Sequence, residues 1–156
     1  MIRLTKIVIL VLILASCGED PPGNNPPTLN YIGMINSEIP QGLGQDTVFA
    51  FLEFEDLDGD LIGGNTMNIS VVDNRDGTVD PISFPVLPEL SDGQRGTIQL
   101  SILSTCCIYP PELMIPACES DPDFPPNIYS YDIFITDAAG NTSNVVTTDE
   151  VTLTCN

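Results

Sequence analysis

The sequence predicts an all-β fold, a two-sheet sandwich of about seven short strands that follows an N-terminal leader and a short linker. Runs of β-branched and aromatic residues alternate with polar residues, and clusters of Asp, Asn and Gly separate these runs. The 14 prolines and the lack of a sustained 3.6-residue periodicity argue against helices. A length of 156 residues favours one folded domain, which we place at residues 29–156.

The first sixteen residues have the pattern of a signal peptide. A short basic start precedes an apolar run at residues 7–14, which is too short for a comfortable membrane span. The run ends in Leu-Ala-Ser-Cys at residues 14–17, which resembles the lipobox of bacterial lipoproteins. This resemblance implies that residues 1–16 are removed and that the Cys17 thiol accepts diacylglycerol.

Residues 17–28 predict a disordered, semi-rigid tether. Pro, Gly and Asn dominate this segment and prevent regular structure, so it extends over roughly 30 Å at about 3.1 Å per residue. The pair Glu19-Asp20 resembles the acidic export signals of surface lipoproteins in Bacteroidetes-type bacteria. We therefore expect a location at the outer membrane or the cell surface.

Removal of the leader leaves a strongly acidic protein. Arg75 and Arg95 are then the only basic residues, against 22 acidic ones, and the chain has no His or Trp. Such a surface repels phosphate, which argues against nucleic acid as a partner and against direct adsorption to an anionic membrane. We expect membrane attachment through the lipid alone, and divalent cations or basic proteins remain plausible ligands.

Seven strands are predicted, at residues 29–35, 47–55, 67–72, 82–87, 96–104, 128–136 and 144–154. Alternation along four of them defines inward faces, because successive side chains of a strand point to opposite sides. The predicted inward residues are Val48, Ala50, Leu52, Phe54, Ile98, Leu100, Ile102, Tyr129, Tyr131, Ile133, Ile135, Val151, Leu153 and Cys155.

Two stretches give this sandwich a more specific resemblance. Residues 47–60 (TVFAFLEFEDLDGD) look like the second strand and following turn of bacterial Ig-like modules, and residues 131–146 look like their last hairpin. With the cysteines near the end of the chain, residues 28–156 resemble Ig-like lipoproteins of Bacteroidetes-type bacteria, mostly of unknown function. The resemblance implies an immunoglobulin-like two-sheet sandwich.

Four cysteines remain beside Cys17, an even number in an oxidising compartment, so two disulfides are expected. Three pairings exist, and a bridge between the adjacent Cys106 and Cys107 is discounted as strained. In the strand order that the resemblance implies, the ends of strands E and G share one pole, and alternation points Cys106 and Cys155 inward. We therefore expect Cys106–Cys155, with Cys107–Cys118 closing the intervening loop. The alternative, a thiolate metal or redox site, lacks the usual Cys-x-x-Cys spacing.

Asp56, Asp58 and Asp60 form the most chemically loaded segment. Alternate carboxylates in a tight Gly-containing turn can direct several oxygens at one point, as Ca²⁺ requires, although the spacing is not that of an EF-hand. In the implied topology the loop after strand F lies at the same pole, so Asp137 and Asn141 are candidates to join the site. The alternative is that these residues serve turn geometry and solubility.

No enzyme is expected. His is absent, the single Lys lies in the leader, and nothing in the sequence marks one carboxylate as buried with a raised pKa. The main functional prediction is a lipid-anchored envelope lipoprotein with an Ig-like binding or structural module for a surface protein or polysaccharide. The alternatives are a calcium-dependent accessory protein for glycan capture or surface assembly, and a small carboxylate-based hydrolase.

Overall fold

A computed structural model describes residues 25–61, 68–83 and 94–156. The predicted signal peptide, Cys17 and most of the tether lie outside these residues, as does most of the predicted strand at 82–87. The described residues form strands and one short 3₁₀ helix, Pro111–Leu113. The strands are β1 Thr28–Ile35, β2 Glu38–Pro40, β3 Thr47–Asp56, β4 Ile69–Asp73, β5 Val79–Ile82, β6 Gln94–Leu103, β7 Asn127–Tyr129, β8 Tyr131–Ile135, β9 Val146–Thr147 and β10 Val151–Thr154. The predicted all-β class is confirmed.

The first sheet has the order β1-β3-β6 and is antiparallel throughout. Its central strand, β3, is ten residues long and alternates as the sequence predicts: Val48, Ala50, Leu52 and Phe54 are all buried. The facing residues of β6 pair with them in register, Ile98 opposite Leu52 and Leu100 opposite Ala50. The inward faces predicted for these two strands are confirmed.

The other two sheets have the orders β2-β10-β7 and β5-β4-β8-β9. The chain passes directly from one of these sheets to the other at two places, because two of the predicted strands are each divided into two shorter strands. The strand predicted at 128–136 breaks at Ser130, where the chain passes from pairing with β10 to pairing with β4. The strand predicted at 144–154 breaks at residues 148–150, where the Thr148 N–H donates to the Tyr131 carbonyl at 2.9 Å.

One hydrophobic core lies between the first sheet and the other two. The buried apolar residues that these two sheets contribute are Ile39, Ile69, Val71, Tyr129, Tyr131, Ile133, Ile135, Val151 and Leu153. This set includes all the inward residues predicted for the last two strands, except Cys155, which is also buried. Two packed layers around one core are the expected solution for sheets with one apolar face each.

The strands place two groups of loops at opposite ends of the sandwich. The acidic pole comprises residues 25–28, 56–61, 94 and 136–143. Two of its loops are linked by a hydrogen bond from the Ala138 N–H to the Asp60 carbonyl, 3.2 Å. The disulfide pole comprises residues 41–46, 73–78, 104–126 and 155. Its loops are linked by hydrogen bonds such as the one from the Gly42 N–H to the Thr105 carbonyl, 3.0 Å. The ten residues of β3 separate the poles by about 30 Å.

Within the described parts of the chain, no helix is long and apolar enough to cross a membrane.

Candidate functional site

Three carboxylates meet at the acidic pole. Asp56 is the last residue of β3, and Asp58 and Asp60 follow in the turn beyond it. One carboxylate oxygen from each residue lies within 4.8 Å of the others. Gly59 has φ of +74°, a left-handed conformation that favours glycine and lets the chain reverse between the second and third aspartate. The turn therefore gathers three acidic oxygens at one point.

Asp56 is the least expected member of this cluster, because its side chain is only 1 % exposed. Its Oδ2 accepts a hydrogen bond from the Leu61 N–H at 3.1 Å, whereas its Oδ1 has no hydrogen-bond partner. Burial, with a contribution from Asp58, raises the pKa of the Asp56 carboxyl to about 7. The expectation that no carboxylate is buried with a raised pKa is therefore wrong.

The loop after β8 lies against the cluster. The Ala139 N–H donates to Asp60 Oδ2 at 3.1 Å, and burial together with the nearby Asp137 raises the pKa of the Asp60 carboxyl. Asp137 itself is bonded within its own loop: its Oδ1 accepts from the Asn141 N–H at 2.7 Å and its Oδ2 from Asn141 Nδ2 at 2.8 Å. Asp137 and Asn141 thus lie beside the three-carboxylate cluster and hold the loop that contacts Asp60.

A further polar residue of this pole, Gln94, was not among the residues predicted for the site. Gln94, the first residue of β6, pairs directly with Asp56 in the β3–β6 ladder. Its side chain is 2 % exposed, and its Oε1 has no hydrogen-bond partner. Alternation could have found both residues, since Asp56 continues the inward series of β3 and Gln94 continues that of β6 backwards from Ile98.

The N-terminal end of the described chain also reaches the acidic pole. The Asn25 N–H donates to Asp58 Oδ2 at 3.2 Å, and the Leu29 N–H and carbonyl both bond the Asn144 side chain at 2.9 Å. Asn25 therefore lies at the acidic end of the sandwich.

The four cysteines form two disulfides, as predicted, but the expected pairing is wrong. The bonds are Cys107–Cys155 and Cys106–Cys118, with Cα–Cα distances of 5.8 and 4.7 Å. Cys107 and Cys155 are buried in the core, whereas Cys106 is half-buried and Cys118 is exposed. The long-range bridge to the last strand thus uses the second cysteine of the adjacent pair.

The pairing differs because strand alternation ends before the cysteines. β6 ends at Leu103, and its inward series continues only to Ser104. The Ser104 hydroxyl accepts hydrogen bonds from the Gln45 and Asp46 N–H groups, at 3.1 and 2.9 Å, and donates to the Gly42 carbonyl. Residues 41–46 thus replace β-pairing beyond this point, and the inward position passes from Cys106 to its neighbour.

Arg75 links several elements of the disulfide pole, a role that was not predicted. Its guanidinium pairs with Asp73 and donates to the Cys106 carbonyl and to Asn127 Oδ1, both at 3.2 Å. The guanidinium carbon also lies 3.8 Å from the centre of the Tyr129 ring, in a cation–π interaction that stabilises the positive charge. Burial opposes the charge of Arg75, but the Asp73 carboxylate keeps its pKa raised.

Exposed apolar side chains concentrate around the disulfide pole. They are Ile35, Leu43, Val79, Leu103, Ile108, Leu113, Met114 and Ile128, and Met114 is the most exposed at 87 %. At the acidic pole Leu57 and Val145 are also exposed. Exposed apolar residues that occur together are typical of surfaces that bind other macromolecules.

The acidic cluster offers carboxylate oxygens of the kind that hard cations bind. A carboxyl group with a pKa near 7 can serve as a general acid, but a general acid must reach a substrate within hydrogen-bond distance. The Asp56 side chain is too buried for that contact, whereas Asp58 and Asp60 are half-buried and open to small ions.

Comparisons with protein-family models, with curated proteins and with solved structures find no match to this chain.

Proposed function

We propose that the protein is an exported, lipid-anchored lipoprotein whose Ig-like module presents the disulfide pole to a protein partner on the cell envelope. The observation that carries this proposal is the separation of the two poles. Asn25, the first described residue after the predicted tether, contacts Asp58 at the acidic pole, whereas most exposed apolar side chains of the described residues lie about 30 Å away at the other end.

The strand order supports an Ig-like module. The N-terminal part of the sandwich contributes β1 to one sheet and then β2 to another, where β2 runs parallel to the last strand, β10. The remaining pairs are antiparallel, with β3 and β6 on one side and β4 and β8 on the other. A first strand shared between two sheets in this way is compatible with immunoglobulin-like sandwiches.

A protein partner is favoured over a polysaccharide by the chemistry of the disulfide pole. Its exposed apolar side chains, such as Leu43, Leu113 and Met114, are aliphatic, and the chain has no Trp on which a sugar ring could stack. Apolar contacts with a basic rim on the partner would complement the acidic charge of this protein.

The anchor is tested by mass spectrometry of the mature protein. We expect cleavage before Cys17 and acyl groups on that residue, and release of the Cys17→Ser variant from the membrane fraction. Protease digestion of intact cells then tests display, since a surface-facing domain is cleaved without permeabilisation. An uncleaved leader, or a first mature residue without acyl groups, would contradict the anchored lipoprotein.

The partner is tested with photo-crosslinking side chains introduced into the exported protein. Met114 is the test position at the disulfide pole, and Thr97 on β6 is the matched exposed control near the acidic pole. We expect a discrete protein adduct from position 114 and none from position 97. A glycan adduct, or equal adducts from both positions, would count against a protein partner at the disulfide pole.

A further inference from the structure

A buried carboxylate with an unpartnered oxygen is costly to keep charged. Asp56 Oδ1 lies inside the sandwich without a hydrogen bond, and a single backbone bond serves its other oxygen. Burial of a charged or polar atom without a partner is costly, and proteins offset the cost with a paired charge, a hydrogen bond or a metal. Here the nearest side chains in the cluster are two more carboxylates, which add negative charge.

Gln94 is an independent sign of the same requirement. Its amide Oε1 is buried and unpartnered, and the residue lies directly opposite Asp56 across the β3–β6 ladder. Residues that face each other across an antiparallel ladder have Cβ atoms about 5 Å apart. The Gln94 amide oxygen and the Asp56 carboxylate oxygen, neither of which has a hydrogen-bond donor, thus belong to paired residues on the buried face of the first sheet.

We propose that Asp56, Asp58 and Asp60 bind one hard divalent cation of the Ca²⁺ class at the acidic pole, with the Gln94 side-chain oxygen as an additional ligand. Two oxygens on opposite sides of a Ca²⁺ ion lie about 5 Å apart, since each bond is 2.3–2.6 Å long, so the carboxylate spacing suits one ion. Ca²⁺ accepts several protein oxygens in irregular geometry, whereas Mg²⁺ retains several waters, for which the burial of Asp56 leaves little room.

The neighbouring loop holds the site in place. Both carboxylate oxygens of Asp137 accept hydrogen bonds from Asn141, and the loop that they close donates the Ala138 and Ala139 N–H groups to Asp60. Asp137 and Asn141 therefore act as positioning residues.

Calorimetry on the full-length chain, purified in detergent and stripped of metal with chelator, tests this site. We expect CaCl₂ to bind at one site per chain, with a dissociation constant on the order of 0.1–1 mM, the range of extracellular modules. Thermal unfolding should shift upwards with Ca²⁺ and less with an equal concentration of Mg²⁺. The absence of binding heat, with equal midpoints in Ca²⁺ and chelator, would overturn the proposal, and an equal response to Mg²⁺ would overturn the choice of Ca²⁺.

Substitutions locate the ion. Asp58→Asn and Asp60→Asn should each weaken Ca²⁺ binding at least about tenfold, because a charged ligand becomes neutral. Asp80→Asn is the matched control, since it makes the same change on the exposed strand β5, and it should bind Ca²⁺ as the wild type does. Gln94→Leu should weaken binding, and Gln94→Glu should retain it. If Asp80→Asn weakens binding as much as Asp58→Asn, the attraction is diffuse and the site does not exist.

A spectroscopic measurement on the unmodified sequence guards against misfolded variants. The Leu61 and Ala139 N–H groups donate to carboxylates of the cluster, so their amide resonances should shift on addition of Ca²⁺. The Gly77 amide, at the disulfide pole, should not. The inference goes beyond the proposed function and does not depend on it, because the unlipidated Cys17→Ser chain should bind Ca²⁺ equally well.

Discussion

The two disulfides should contribute unequally to stability, and paired substitutions can measure the difference. One double variant, Cys107→Ala/Cys155→Ala, removes the long-range bridge, and the other, Cys106→Ala/Cys118→Ala, removes the local one. The bridges span 48 and 12 residues. In the chain-entropy model these separations correspond to about 4 and about 3 kcal/mol of stabilisation.

Burial widens this gap. Cys107 and Cys155 are 3 % and 2 % exposed within the hydrophobic core, so loss of their sulfur atoms also leaves a cavity that costs about 1 kcal/mol. Cys118 is exposed, and its replacement leaves no cavity. The long-range variant should therefore be less stable than the local variant by about 2 kcal/mol.

Urea unfolding followed by circular dichroism measures this difference for both variants and the wild type. With a slope of about 2 kcal/mol per molar urea, the two midpoints should differ by about 1 M. Equal midpoints, or a lower midpoint for the local variant, would refute the assignment of the structural role to the buried bridge.

The pairing itself has a separate test in a mismatched double variant. Cys106→Ala/Cys155→Ala removes one partner from each bridge, so the remaining Cys107 and Cys118 should titrate as two free thiols. In the pairing expected from strand alternation, those two cysteines would be bonded to each other and no thiol would react. The thiol count therefore separates the two arrangements without dependence on stability.

Two further perturbations test the packing at the disulfide pole. Arg75→Met should lower the free energy of unfolding by about 3 kcal/mol, because it leaves the Asp73 carboxylate without its partner. The control Arg95→Met, at an exposed position of β6, should change the free energy of unfolding by less than about 0.5 kcal/mol in the same thermal or urea assay. Burial raises the pKa values of Tyr129 and Tyr131 above the usual 10. Above about pH 10 the folded state therefore keeps protons that the unfolded chain loses, so the free energy of unfolding should fall as the pH rises. At pH 11 the absorbance at 295 nm should show fewer ionised tyrosines in the native protein than in urea; complete ionisation with a native circular dichroism spectrum would contradict this burial.

The core could be predicted from the sequence because alternation and burial report the same property. Wherever a ladder is regular, as along β3 and β6, each apolar residue predicted to point inward is buried. The breaks at Ser130 and at residues 148–150 could not be predicted, since they depend on which sheet offers the next partner. Alternation continues through Ser130, so Tyr129 and Tyr131 are buried on either side of it although they belong to different sheets.

The candidate site was predicted in part. Asp56, Asp58 and Asp60 were recognised by their spacing, but the burial of Asp56 follows from strand parity, which the sequence analysis applied only to apolar residues. The loop of Asp137 reaches the pole as expected, and the Asp137 side chain bonds to Asn141 within that loop. A loop's location follows from topology, whereas the partner of each side chain depends on local hydrogen bonds.

Strand parity, the alternation of inward and outward side chains along a strand, therefore predicts orientation only as far as the backbone ladder continues. This limit explains both the burial of Asp56 and Gln94, which was not predicted, and the wrong disulfide pairing. At the acidic end the β3–β6 ladder continues to the pair Asp56–Gln94, so parity extends further than the apolar pattern and places two polar residues inside. At the other end the ladder stops at Leu103, so parity no longer predicts the orientation of Cys106. Because hydrogen bonds of the backbone set this limit, alternation predicts the burial of polar residues as well as apolar ones wherever the ladder is regular.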